Sequence, residues 1–333
     1  MGLSDKIKFK LFSGKNSKLA YYIRQYWLNF APLPILRLLR GWNVDKLDEV
    51  AKQRSDYEYV MGRVDYYNRL QSNCVAGSDL WQKESIPLGE QRMVRQKVYF
   101  LDSMEYARFF SKEYRWILLP GDITYVPQFP SIVKSRPIAE ANQNANSVIM
   151  KLVKVRHFIF VDDKISFKEK QDRAIFRGKV AGKANRLDFM EKMQGNPRFD
   201  IGAIDKVKEE WTCEKMTIGD HLKFRYIMCL EGNDVASNVK WVMSSNSIAV
   251  MPKPQYETWF MEGTLIPGYH YIEVKPDYSD VESQLDYYSS HIDEAEAIIQ
   301  HAHEYVNQFK DNDREDLISL LVMDKYFRQT GNA

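Results

Sequence analysis

The sequence predicts an α/β protein, on three observations. Short apolar runs of strand length alternate with longer, charged, helix-prone segments, the pattern of parallel strands joined by crossover helices. The alternation comes in two sets that meet near residue 170, which predicts two Rossmann-like lobes with a cleft between them. With 333 residues, 44% hydrophobic and 28% charged, the chain is long enough for two domains that each bury a core, and its composition is that of a folded protein.

Taken in order, residues 1–44 read as a basic amphipathic arm. In residues 1–40, Lys6, Lys8, Lys10, Lys15, Lys18, Arg24, Arg37 and Arg40 stand against one acid, Asp5. They are interleaved with Phe9, Leu11, Phe12, Tyr21, Tyr22, Trp27, Phe30, Leu36 and Leu39. That composition suits a helix lying on an anionic membrane surface, and equally an arm packed on the domain with its charges in water. The stretch YWLNFAPLPILRLL is broken by Pro32 and Pro34 and falls short of the about 20 residues that span a bilayer. No secretory signal is visible in it.

Residues 45–170 form the first predicted lobe. It opens on a charged helical stretch at 45–71, followed by strands at Val98–Leu101 and Trp116–Leu119, with a helix from Ser103 between them. The run VRHFIFVDD (155–163) reads as a further buried strand. The second lobe, 171–310, has strands at 173–177 and within HLKFRYIMCLEG, SIAVMPK and YHYIEVK, with helices from near Asn185 and across ASNVKWVMSS. From Asp277 the chain reads as helical to Arg328, with 311–333 as a C-terminal helix.

A net charge of +2 excludes a uniformly basic nucleic-acid binder. Cys74, Cys213 and Cys229 form no CxxC pair, and His301 and His303 fall on different faces of a helix, so neither a disulfide framework nor a zinc site is expected. Asp162 and Asp163 invite a metal reading, but adjacent carboxylates at a strand exit point to opposite faces, which favours a solvated loop start.

Ligands of open α/β sheets bind beyond the carboxyl ends of the strands, so the turns at 120–122, 177–186 and 231–236 are the candidate site. In CLEGNDVASNVKW an apolar run stops at Gly232-Asn233-Asp234 before a helix-like segment. If Asn233 or Asp234 caps that helix, the backbone N–H groups of 234–237 offer a phosphate site, although a side-chain cap alone satisfies such a turn equally well. In FRGKVAGKANR, Arg177 sits at a strand end, with Lys179, Lys183 and Arg186 following, either as diphosphate ligands or as solvated charges. In LLPGDITYVP, Asp122 follows a glycine at a strand end, as a general base or as a turn cap.

These three stretches, and above all the block from Phe224 to Ser279, resemble glycosyltransferase family 90, most closely its bacterial lipopolysaccharide branch. The resemblance runs from about residue 115 to 310 and leaves the arm at 1–40 outside. It implies a GT-B-type fold and transfer from a UDP-sugar with inversion and no essential metal or other cofactor. Carried over, Asp122 matches the catalytic base, and Arg177 and Gly178 match the family's FRG turn. Gly232, Asn233, Asp234, Val235 and Ala236 match the loop around the donor diphosphate. Glu257 falls at a donor-ribose or sugar position. Animal members place Ser and Arg where this chain has Ala236 and Asn238, so one diphosphate cation is missing, and Arg186 or Lys183 is the replacement on offer. Tyr125, Phe129, Trp259 and Tyr269 are aromatic candidates for stacking on sugars, with Tyr125 and Phe129 on the acceptor side.

The branch implies a lipopolysaccharide or lipid-carried glycan acceptor, with residues 1–40 holding the enzyme on the inner face of the cytoplasmic membrane. Rival readings are a non-catalytic sugar-binding protein, a metal-dependent GT-A-type transferase using Asp162 and Asp163, and a protein O-glycosyltransferase.

Overall fold

The computed structural model describes residues 14–72, 74–75, 77–93 and 96–332. The arm's Asp5, Lys6, Lys8, Phe9, Lys10, Leu11 and Phe12 lie outside the described residues. The chain divides into two compact units: Ser17–Val155 with Tyr256–Met261 and Phe309–Ala333, and Met1–Asn16 with Arg156–Gln255 and Glu262–Gln308.

The first unit is mainly helical. Helix α1 (Lys18–Phe30) is capped by Ser17, whose Oγ accepts from Ala20 N, and α2 (Leu33–Arg40) ends on Gly41 in the left-handed region. Helices α3 (Tyr57–Tyr67) and α4 (Lys97–Ala107) follow, and the C-terminal helix Asn312–Gln329 packs on α3 and α4. The strand predicted at Val98–Leu101 is therefore part of a helix. Four apolar residues are too few to show a period, and α4 buries Tyr99, Leu101, Asp102, Glu105 and Tyr106 on several faces, so no clean helical stripe appears in the sequence. The predicted strand Trp116–Leu119 is reduced to Arg115–Trp116, paired antiparallel with Ile86–Pro87, and a single bridge from Leu118 to Ile132. Ser131–Val133 runs parallel to Ser147–Ile149, and Ser135–Pro137 antiparallel to Tyr256–Thr258.

The second unit is built on one parallel sheet. Its strands are β1 (Gln171–Gly178), β2 (Phe199–Ala203), β3 (Phe224–Met228), β4 (Ile248–Met251) and β5 (Ile272–Glu273), in the spatial order β2-β1-β3-β4-β5. Helices α5 (Ala184–Met193), α6 (Val239–Met243), α7 (Val281–Ser290) and α8 (Ile292–Asn307) complete it. Phe176, Phe189, Tyr226, Val250, Ile272, Leu285 and Ile298 share its core. The run VRHFIFVDD is not a strand. It opens in a short helix, Lys154–His157, and its later backbone groups are taken by side chains: Phe158 O by Asn16, Val161 N by Ser244 Oγ and Asp163 O by Asn246.

The strand order carries the functional weight of the fold. Successive connections leave β1 toward β2 and then return past β1 to β3, so the topological switch point lies between β1 and β3. In doubly wound sheets the ligand crevice opens there, beyond the carboxyl ends of those two strands. No helix of the described residues is long and apolar enough to cross a membrane.

Candidate functional site

The turns that leave β1 and β3 are tied to each other by the first residues of α5. The Arg186 guanidinium donates from Nε to Glu231 O at 2.9 Å, from Nη1 to Lys179 O at 2.8 Å and from Nη2 to Leu230 O at 2.7 Å. Asn185 Nδ2 reaches the same Glu231 carbonyl at 3.0 Å, and Lys183 Nζ donates to Asn233 Oδ1. Two cations therefore stand at the switch point, both carried by the start of α5 and both reaching the β3 turn. Burial pulls the Arg186 guanidinium below its ordinary value, with Tyr278 and Asp205 acting in the opposite direction; it keeps its charge.

Both turns need glycine for space. A Cβ at Gly178 would lie 2.7 Å from the Phe176 ring and 3.2 Å from Arg186 Nη1, and one at Gly232 would lie 3.3 Å from Arg186 Nη2. Neither position requires left-handed backbone; the Phe176 ring sets the limit at Gly178, and the Arg186 guanidinium is the close neighbour at Gly232. Asn238 donates from Nδ2 to Met228 O at 3.1 Å and pins the second loop to the end of β3, while Asp234, Val235 and Ala236 are buried beneath it.

Two expectations change. The helix read across ASNVKWVMSS, with Asn233 or Asp234 as its possible cap, is Val239–Met243, five residues, because 232–238 turn on their own bonds, including Gly232 N to Asp234 O at 3.0 Å. The charge at this loop therefore comes from Lys183 and Arg186 and not from a long helix. Arg177 also turns elsewhere. It donates to Asp200 O at 2.7 Å and pairs with the Asp200 carboxylate, so it reaches β2 on one side of β1 while Arg186 reaches the β3 turn on the other. One participant was not foreseen: Asp205, just past β2, accepts from Val180 N at 2.9 Å and Ala181 N at 3.1 Å and occupies the N–H groups of the β1 turn.

In the helical unit, Asp122 follows Gly121, whose φ of 117° favours glycine. Its carboxylate accepts from Lys134 Nζ at 2.5 Å; Lys134 is 3% exposed and Asp122 27%. Ser135 Oγ accepts from Ile123 N and donates to Ile123 O, both at 3.2 Å, which fixes the turn. Lys134 gives no signal in sequence, because only the bonding of 131–133 to 117–119 brings it beside a residue twelve positions earlier. Beyond this turn Tyr125 is exposed, and Phe129 is half-buried with its ring against Trp81.

Other candidates are engaged in the fold. Glu257 is buried, accepts from Arg136 Nε at 2.7 Å and from the Tyr66 hydroxyl, and belongs to the helical unit with both partners. Trp259 stacks on Tyr67 at 3.9 Å between ring centres, and Tyr269 stacks on His301 at 3.6 Å. Asp163 is buried against Lys170 at 2.7 Å, whereas the exposed Asp162 pairs with Lys164.

Residues 145–326 match Glycosyl transferase family 90. The O-glucosyltransferase LpsA of Dichelobacter nodosus is 36% identical over 315 residues, covering 93% of this chain and 95% of that protein. The chain belongs to glycosyl transferase family 90. This member is accordingly a glycosyltransferase, of mixed α/β fold. Coverage of 93% leaves too few residues for the whole arm at 1–40 to fall outside the likeness, so the resemblance extends further toward the N-terminus than its motifs suggest.

Proposed function

We propose that this family 90 member transfers a hexose or pentose from a UDP-sugar, with inversion and without a metal, to a hydroxyl of a lipopolysaccharide core or another lipid-carried cell-surface glycan. The observation that carries the reading is the pairing of Lys183 and Arg186 at the β1/β3 switch point. A diphosphate in that crevice meets two cations and the glycine-lined turns at Gly178 and Gly232–Ala236. The sheet unit is the donor side of a GT-B-type enzyme in this reading, and the helical unit the acceptor side.

The reaction is a single displacement. The acceptor hydroxyl gives its proton to the Asp122 carboxylate, its oxygen bonds the anomeric carbon, and the bond to the diphosphate breaks with both electrons leaving on UDP. An α-linked donor yields a β-linked product. Charge grows on the leaving diphosphate, where Lys183 and Arg186 supply the compensation that a divalent ion supplies in metal-dependent transferases. Lys134 holds Asp122 in place through their ion pair. Glu257 is left out of donor contact, since it is buried in the helical unit against Arg136 and Tyr66, and Arg177 is left out because its guanidinium turns to Asp200 on β2, away from the β3 turn. The lipid-carried acceptor, together with the cationic residues 1–40, supports action at the inner face of the cytoplasmic membrane.

A screen of UDP-sugars in EDTA tests the reading, with UDP-glucose tried first because the Dichelobacter relative is named an O-glucosyltransferase. UDP release from one donor and a β-anomeric product by NMR are the expected results. Strict dependence on manganese, or an α-linked product, overturns it.

A further inference from the structure

Helix α1 is packed with its polar side inward. Gln25 is fully buried and donates to Glu105 Oε2 at 2.9 Å, the Tyr21 hydroxyl donates to Asp102 at 2.7 Å, and Asn29 donates to Leu101 O at 3.0 Å. Leu28 is the apolar residue buried on that side. Facing outward are Leu19, Ile23, Tyr26, Trp27 and Phe30, all exposed, Leu19 at 73%. Their spacing of four, seven, eight and eleven residues from Leu19 puts them on one stripe of the helix. Helix α2 continues the pattern: Leu36 is buried, while Ile35, Leu38 and Leu39 are exposed, Leu38 at 85%. The two helices meet over a small core of Leu28, Leu36 and Phe109, with their apolar stripes turned away from it.

Scattered exposed apolar side chains are ordinary, but eight large ones on two consecutive short helices form a patch that calls for a partner. Charge selects which one. Residues 17–44 carry no acid, and of their four cations Arg24 and Arg40 pair with Glu105, which leaves Lys18 and Arg37 to face whatever docks there. A second copy docking through the same patch brings these cations against themselves, because a two-fold interface pairs like surface with like. An anionic bilayer complements them. Helices of 13 and 8 residues separated by Pro32 cannot span a membrane and are suited to lie in its interface.

We propose that the outward face of α1 and α2 is a lipid-docking surface, inserted in the plane of an anionic membrane by Leu19, Ile23, Trp27, Phe30, Leu38 and Leu39. This deepens the membrane-side location given above by naming the surface and its partner, and it stands independently of the donor and acceptor.

Co-sedimentation of the full chain with phosphatidylglycerol–phosphatidylethanolamine vesicles, compared with phosphatidylcholine vesicles, tests it without recourse to activity. The wild type is expected to pellet with the anionic vesicles, and Trp27→Glu/Leu38→Glu to lose at least about tenfold in partitioning, each apolar side chain being worth that much on burial. Lys18→Gln/Arg37→Gln is expected to weaken binding chiefly at low salt. Unchanged thermal melting by circular dichroism verifies that the variants are folded. A wild type that stays in the supernatant, or a Trp27/Leu38 variant that pellets like wild type, overturns the proposal. So does a wild-type dimer in solution that this variant abolishes while no vesicle binding is seen. Failure of the UDP-sugar screen leaves these outcomes untouched.

Discussion

At the scale of single residues, Arg186 organises the candidate donor site. Its three bonds to carbonyls of the β1 and β3 turns draw together Lys179 on one loop and Leu230 and Glu231 on the other. Gly178 and Gly232 stand in close contact with it, Gly178 closer still to the Phe176 ring. Gly178→Ala places a methyl group where the Phe176 ring and Arg186 already stand, and is expected to cost about 1–3 kcal/mol through overpacking and to raise KM for the donor. Denaturant unfolding and steady-state kinetics check both effects; a variant with unchanged stability and KM contradicts the packing argument. For Asp122, Asp122→Asn keeps the shape and removes the base, so turnover is expected to fall by about 10²–10⁴ with little change in donor KM. Near-wild-type turnover removes Asp122 from the role.

The sequence made part of this legible. FRG, LPGD and EGND were visible as strand-end turns, and Lys183 and Arg186 as the cations on offer for the charge absent at Asn238. Lys134 and Asp205 were not visible, because each meets its partner only through tertiary pairing. The use of Asn238 as a pin on Met228 likewise appears only once the loop is folded.

At the scale of elements, buried carboxylates fasten the helices. Glu105 on α4 accepts from Lys154 at 2.8 Å, Gln25 at 2.9 Å, Arg24 at 3.1 Å and Arg40 at 3.3 Å, and so holds α1 and α2 with their apolar stripes outward. Although burial opposes its ionisation, these cations and the Gln25 bond hold its folded-state pKa down at about 2, against an ordinary 4.5. The depressed value means that the unfolded chain takes up the proton first as pH falls. The stability from Glu105 is therefore fully present above pH 4.5 and is lost as pH falls toward 2, an effect of about 3 kcal/mol. In urea unfolding, the gap between wild type and Glu105→Gln is expected to close over that range; a gap independent of pH contradicts it. Glu315, on the C-terminal helix, is buried with Arg63, Lys151 at 3.2 Å and Trp259 Nε1 at 2.6 Å. Glu315→Ala strands buried cations and is expected to cost about 3–5 kcal/mol of unfolding free energy. α4 shows why element type was harder to read than element position: a helix buried on several faces looks, over four residues, like a buried strand.

At the scale of the molecule, the sheet unit was legible in sequence because its strands are separate apolar runs with helices between them, which implies parallel strands; their order β2-β1-β3-β4-β5 appears only in the fold. The helical unit was less so, since its strands of two or three residues leave no periodic trace. The topology makes one demand on function: a ligand of the sheet unit belongs at the β1/β3 switch point, where Lys183 and Arg186 stand. Lys183 is the cleaner probe, since it bonds Asn233 at the surface while Arg186 also supports the loops. Isothermal titration of the full chain with UDP in EDTA tests this most directly. The account predicts that wild type binds UDP without metal and that Lys183→Ala weakens binding about tenfold, the loss of one charge-assisted bond. Absence of UDP binding by wild type, or equal affinity in Lys183→Ala, would contradict it.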